Sequence, residues 1–147
     1  MAKYITPTLT LTSNASTASS NPGPLSIALS LSATDTLDVT EVQSKIVDVS
    51  GTHALLWDAS DFTASGAAGT DGAFLYFKNI HASVNIMIGA ATSENLSNDG
   101  EADRLMTLQP GEFAWVPWDC TNDITVDANG TGTSGLETWC FVRTGTA

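Results

Sequence analysis

LSIALSLS, residues 25–32, decides how this chain is read. Its aliphatic residues Leu25, Ile27, Leu29 and Leu31 fall on alternate positions, with Ser26, Ala28, Ser30 and Ser32 between them. Successive side chains of an extended backbone point to opposite sides, so this period of two marks a strand with one buried face. TPTLTLT, residues 6–12, alternates in the same way and places Leu9 and Leu11 together.

Working outward, further strands are expected at 41–49, 52–57, 73–79, 84–88, 104–108, 113–116, 124–128 and 136–143. Gly, Asn, Asp or Pro punctuates most of the gaps between them. FLYF (74–77) and NIMIG (85–89) are apolar on both faces, as strands inside a sandwich are. No segment carries a helical stripe of ten or more residues, and no internal repeat is present. The expected fold is all-β: a single-domain, jelly-roll-like antiparallel β-sandwich of roughly eight to ten strands with an extended N-terminal arm. Residues 1–24 form the arm and the polar loop SNASTASSNPGP, and residues 25–147 form the sandwich. The arm reads either as a flexible surface segment or as a strand that orders on a neighbouring subunit. Two long loops, 58–72 and 89–103, have the length of recognition or contact segments.

Charge narrows the partners. Of 147 residues only 14% are charged, and 16 acids against 5 bases give a formal net charge of −11. Lys3, Lys45, Lys78, Arg104 and Arg143 are scattered singly. Nucleic-acid backbones and anionic membranes are bound by clustered Lys and Arg, so neither is an expected partner. MAKYITPTLTLT has no apolar core of the length a secretion signal needs, and the protein is expected to fold in a cytosol. Cys120 and Cys140 are then expected as buried free thiols. Sequons at Asn14, Asn95 and Asn129 are expected to carry no glycan.

LQPGEFAWVPWDC, residues 108–120, raises the question of chemistry, because metal-binding jelly rolls of the cupin type also set Pro-Gly turns between core strands. Their sites need several histidines, two of them one residue apart on a strand. This chain has only His53 and His81. The alternating carboxylates Asp99, Glu101 and Asp103 lack the central Gly and distant bidentate Glu of a calcium loop, and DANGTG (127–132) fails the same test. There is no G-x-S-x-G elbow and no phosphate-cradling glycine loop before a helix. Cys120 follows Asp119, which raises a thiol pKa. No metal, no cofactor and no catalytic residue is expected, and the chain is read as a non-enzyme.

Binding through surfaces remains. Phe113 and Trp115 share a strand face by alternation, and Trp139 and Phe141 share the face opposite Cys140 and Val142. Large aromatics belong to a core, an oligomer interface or a sugar-stacking platform.

The ordered series FLYFKNIHASVNIMIG, RLMTLQPGEFAWVPW, DITVDANG and LETWCFVRTG resembles small jelly-roll structural proteins of tailed-bacteriophage virions, particularly those of phages infecting cyanobacteria. The resemblance covers residues 74 to 143 and marks the fold and its turns rather than a site. It implies a decoration or cement protein on the capsid exterior that binds the major capsid protein as a homotrimer. The same fold serves tail and baseplate components, and a carbohydrate-binding adhesin module is a further alternative. On this reading the arm, residues 1–21, clamps the shell. Tyr4, Ile5, Leu9, Leu11, Trp118, Trp139 and Phe141 are the expected oligomer or capsid contacts, with Trp118 the residue to test for ligand binding.

Overall fold

The computed structural model describes residues 3–5, 8–12, 26–30, 37–63, 72–90, 96, 103–129 and 134–143. The chain divides into two compact units, Met1–Val39 and Thr40–Ala147. In the first unit, β1 (Lys3–Ile5) pairs antiparallel with residues 37–39, at the start of β4 (Leu37–Val49). β2 (Thr8–Thr12) and β3 (Ser26–Ser30) form an antiparallel pair with Leu9 opposite Leu29 and Leu11 opposite Ile27. The two alternating stretches that announce the fold are therefore strand partners of each other.

The second unit continues β4 and adds β5 (Ala54–Trp57), α1 (Ala59–Thr63), β6 (Ala73–Asn79), β7 (Ile86–Gly89), β8 (Arg104–Leu108), β9 (Phe113–Trp118), β10 (Ile124–Ala128) and β11 (Ser134–Arg143). One sheet has the order β4-β11-β6-β9, and the other β5-β10-β7-β8. Each strand of the first half thus lies beside its counterpart counted back from the end: β4 with β11, β5 with β10, β6 with β9, β7 with β8. This nested arrangement, rolled into two facing antiparallel sheets, is the jelly-roll form of the β-sandwich. The core between the sheets holds Leu75 and Phe77 of β6, Ile86 and Ile88 of β7, Val126 of β10, and Leu136 and Cys140 of β11. At roughly 25 cal/mol per Å² of apolar surface removed from water, these side chains supply most of the drive to fold.

The Pro-Gly turn of LQPGE carries the chain from β8 in one sheet to β9 in the other. The Glu112 amide donates to the Gln109 carbonyl (3.0 Å), and Gly111 has φ of 81°. With Pro110 ahead of it, this is a type II turn, whose third residue needs positive φ. The Glu112 carboxylate accepts from the Gln109 amide (2.8 Å), tightening the same turn. Asn79, fully buried at the end of β6, holds this corner to its neighbours. Its Nδ2 donates to the carbonyls of Val84 (2.8 Å) and Leu108 (2.9 Å), and its Oδ1 accepts from the His81 amide (3.0 Å). The Asn79 backbone donates to the Glu112 carbonyl and accepts from the Gly111 amide, both at 2.9 Å. His81 closes the next turn, its Nδ1 accepting from the amides of Ser83 and Val84.

β9 stands at the end of its sheet, which is why Pro117, with no amide to donate, fits within it. The strand runs two residues past its expected end at Val116 and carries Trp118 into the core. Part of the long loop after Trp57 is the single turn α1. Asp58 caps it, accepting from the Ser60 amide (2.8 Å) and hydroxyl (2.6 Å), and these bonds hold its carboxyl below the usual range. The turn delivers Phe62 edge-on to both Trp57 (6.1 Å) and Trp118 (5.3 Å).

Part of the outer face of the second sheet is covered by the chain itself, while Leu55 and Leu105 there stay exposed. Leu96, from the connection between β7 and β8, is fully buried and clusters with Met87. Gly89 leaves room for it: a Cβ there would stand 2.7 Å from the Leu96 Cδ2 and 2.4 Å from the Asp103 carbonyl oxygen.

Candidate interaction face

The outer face of the β4-β11-β6-β9 sheet is a different matter. Along β6, Ala73, Leu75, Phe77 and Asn79 are buried in the core, so Phe74, Tyr76 and Lys78 point away from it. Register carries the pattern to both neighbours. Opposite Lys78, Tyr76 and Phe74 stand Phe113, Trp115 and Pro117 on β9. On the other side stand Glu137, Trp139 and Phe141 on β11. Lys45 of β4 reaches inward, donating to the Leu56 carbonyl and lying over the Trp57 ring, so alternation turns Val42 and Ile46 outward.

The result is a cross-strand ladder of rings where a one-sided antiparallel sheet ordinarily carries polar residues. Trp139 stacks on Phe141 (6.1 Å, 10°), Phe141 meets Trp115 (5.1 Å, 48°), and Trp115 stacks on Phe74 (5.5 Å, 14°). Tyr76 lies against Phe113 (6.3 Å, 31°). Aromatic cross-strand pairs contribute roughly 0.2–1 kcal/mol each, so the ladder rigidifies the sheet as well as lining it. Much of it faces solvent: Ile46 is 69% exposed, Phe113 57% and Trp139 36%.

Charges sit at its ends. Lys78 and Glu137 are register partners at one end, and Arg143 lies over the Phe74 ring (5.3 Å) at the other. Glu137 also accepts from the Trp139 indole nitrogen (3.0 Å), fixing that ring. Burial and the nearby Glu137 raise the Tyr76 hydroxyl pKa, so it stays a neutral donor. An apolar centre within a charged rim is the anatomy of a protein contact surface.

Of the expected contact residues, Trp139 and Phe141 are brought together here. Trp118 is not among them: it is buried at 8% exposure, against Phe62, and its indole nitrogen donates to the Asn122 carbonyl (2.9 Å). It lies three positions on from Trp115, an odd step that puts it on the opposite side of the strand. Leu9 is exposed on β2. Tyr4, Ile5 and Leu11 have described backbone in β1 and β2, but their side chains lie outside the described residues. Phe74, Tyr76 and Ile46 belong to the face without having been expected there.

Cys120 and Cys140 are buried free thiols. Burial pushes Cys140 up to about 12, with Cys120 and Glu41 adding to the shift, and pushes Cys120 up to about 11, with Asp119 adding. Among the described residues no three His, Cys, Asp or Glu side chains converge as metal ligands would. No helix among them is long and apolar enough to cross a membrane.

No family model matches this chain, and no curated protein does. Among solved structures, a chain from the work describing Bacillus endospore appendages as a novel family of disulfide-linked pili is similar at 12% identity. The match has a TM-score of 0.44 and covers 72% of this chain and 87% of that one.

Proposed function

We propose that this protein is a non-enzymatic structural component of a virion, a jelly-roll decoration protein that adds contacts between subunits on the outside of a capsid. The observation that carries the reading is the aromatic face: a solvent-facing sheet surface suited to contact with another protein. The ordered resemblance of residues 74–143 to phage structural proteins supplies the setting. Net charge of −11 suits an exterior position, since an acidic protein facing packaged nucleic acid repels its phosphates. In this arrangement the aromatic face joins subunits, and the arm, residues 1–21, binds the major capsid protein. Several arms on one oligomer then multiply weak contacts into stable attachment.

Cryo-electron microscopy of purified virions tests this directly, with density for the jelly roll expected on the shell exterior. Density confined to the tail or baseplate would overturn the decoration reading. Deleting residues 1–21 is expected to leave a folded body that no longer occupies shells, and unchanged occupancy would refute the clamp. A sugar-binding platform is disfavoured because the rings pack against one another along the sheet instead of standing as a pair beside polar loop residues. Glycan binding lost on Trp139→Ala, with the fold intact, would reverse that judgement.

A further inference from the structure

The outward row of β11 reads Glu137, Trp139, Phe141, Arg143: an acid, two rings and a base. Reversed, it complements itself. A two-fold axis between Trp139 and Phe141, perpendicular to the strand, sets Glu137 of one copy against Arg143 of the other and each Trp139 against a Phe141. We infer that the occupant of the aromatic face is a second copy of this chain, packed sheet to sheet with β11 antiparallel to its counterpart. This rests on the reading of the face as a contact surface, and not on what larger assembly the dimer joins.

Charge favours a copy over an arbitrary acidic partner. With 16 acids and 5 bases the chain repels itself over most of its surface. On this face the bases Lys78 and Arg143 offset Glu137 and the outward Asp48 of β4, so the face itself adds no net repulsion between two copies. The alternative dyad, parallel to the strands, would set Arg143 on Arg143 and Glu137 on Glu137, and like charges across a contact reject that register. Glu137 and Arg143 are six residues apart, about 20 Å along a strand, so both pairs fall at the rim and leave the rings in the dry centre. β11 stands inside its sheet, which puts the axis near the middle of the face.

Size places the contact among the weak, transient interfaces. About a dozen side chains project from the face, against roughly 20–30 a side in a standard interface. The contact therefore lies near the lower bound of about 1,000 Å² in total, and a dissociation constant of roughly micromolar order is expected. The three-fold association that the virion resemblance implies is not what this row specifies.

Sedimentation equilibrium on the full chain, with circular dichroism as the check on folding, decides it. Wild-type protein is expected to pass from monomer to dimer over micromolar concentrations. Glu137→Arg and Arg143→Glu should each weaken the dimer about tenfold or more, because two-fold symmetry lays down every pair twice. The double exchange should recover wild-type association to within a few-fold. A trimer, a monomer at about 1 mM, or a double variant no better than the singles would overturn the pairing. Should the wild type be monomeric while the single variants lose capsid occupancy, the pairing fails and the structural role stands.

Discussion

Removing the side chain of Asn79 tests how the jelly roll turns its corner. Asn79→Leu keeps roughly the same shape and deletes two donors and one acceptor, all engaged at 2.8–3.0 Å. The Leu108 carbonyl loses its bond in a buried setting, while the Val84 carbonyl and His81 amide are nearer solvent. Counting about 1 kcal/mol net for each bond, and more for the buried carbonyl left unpaired, the loss comes to about 3–5 kcal/mol. At this chain length each kcal/mol moves Tm by roughly 2–4 °C, so a fall of about 6–20 °C is expected. Urea unfolding followed by tryptophan fluorescence gives the free energy. The midpoint should drop by about 2 M, with the slope unchanged if the corner is lost without altering the unfolded state. A loss under about 1 kcal/mol would show that backbone pairing alone holds β6, β8 and the turn together.

Three further outcomes follow from other parts of the molecule. Because Cys120 and Cys140 titrate near 11 and 12 when folded, against an ordinary value near 9, the unfolded chain releases thiol protons first as pH rises. Their contribution to stability is full below pH 9 and is lost as pH climbs through 11 to 12. Urea midpoints at pH 8 and 10.5 should show the decline, and a Cys120→Ala, Cys140→Ala double variant should flatten it. Gly111→Ala should cost about 1–2 kcal/mol in chemical denaturation, from backbone strain at positive φ alone, since nothing lies within 4 Å of the added Cβ. Leu96→Ala should cost about 2–3 kcal/mol by the same assay and should raise binding of an apolar dye as Met87 is uncovered.

Alternation made the strands legible: the expected 73–79, 104–108 and 124–128 coincide with β6, β8 and β10. It could not say which side of FLYF faces the core, because Phe74 and Tyr76 are as apolar as Leu75 and Phe77. Only pairing with Thr138 and Cys140, both buried, fixes the direction. The position of Trp118 was available from its odd spacing to Trp115, but Pro117 between them suggested that the strand had ended. An edge strand tolerates that proline, so the alternation continues through it. Phe62 and Leu96 are single apolar residues in polar loops. No period marks such residues, and their burial follows from tertiary packing that local sequence does not encode.

The nesting of the strands also governs when the protein can fold. β10 and β11 are interior strands, each flanked on both sides, yet they come last in the body. β5 has β10 as its neighbour, and the stretch of β4 in the second unit has β11. At about 5–20 residues per second, both early strands wait on the order of ten seconds after leaving the ribosome before a partner is made. Over that interval they present open edges, the state most prone to wrong pairing. A chain broken off near residue 130 is then not a smaller sandwich. It holds the β5-β10-β7-β8 sheet and the β6–β9 pair, and the strand that should join β4 to the rest is missing.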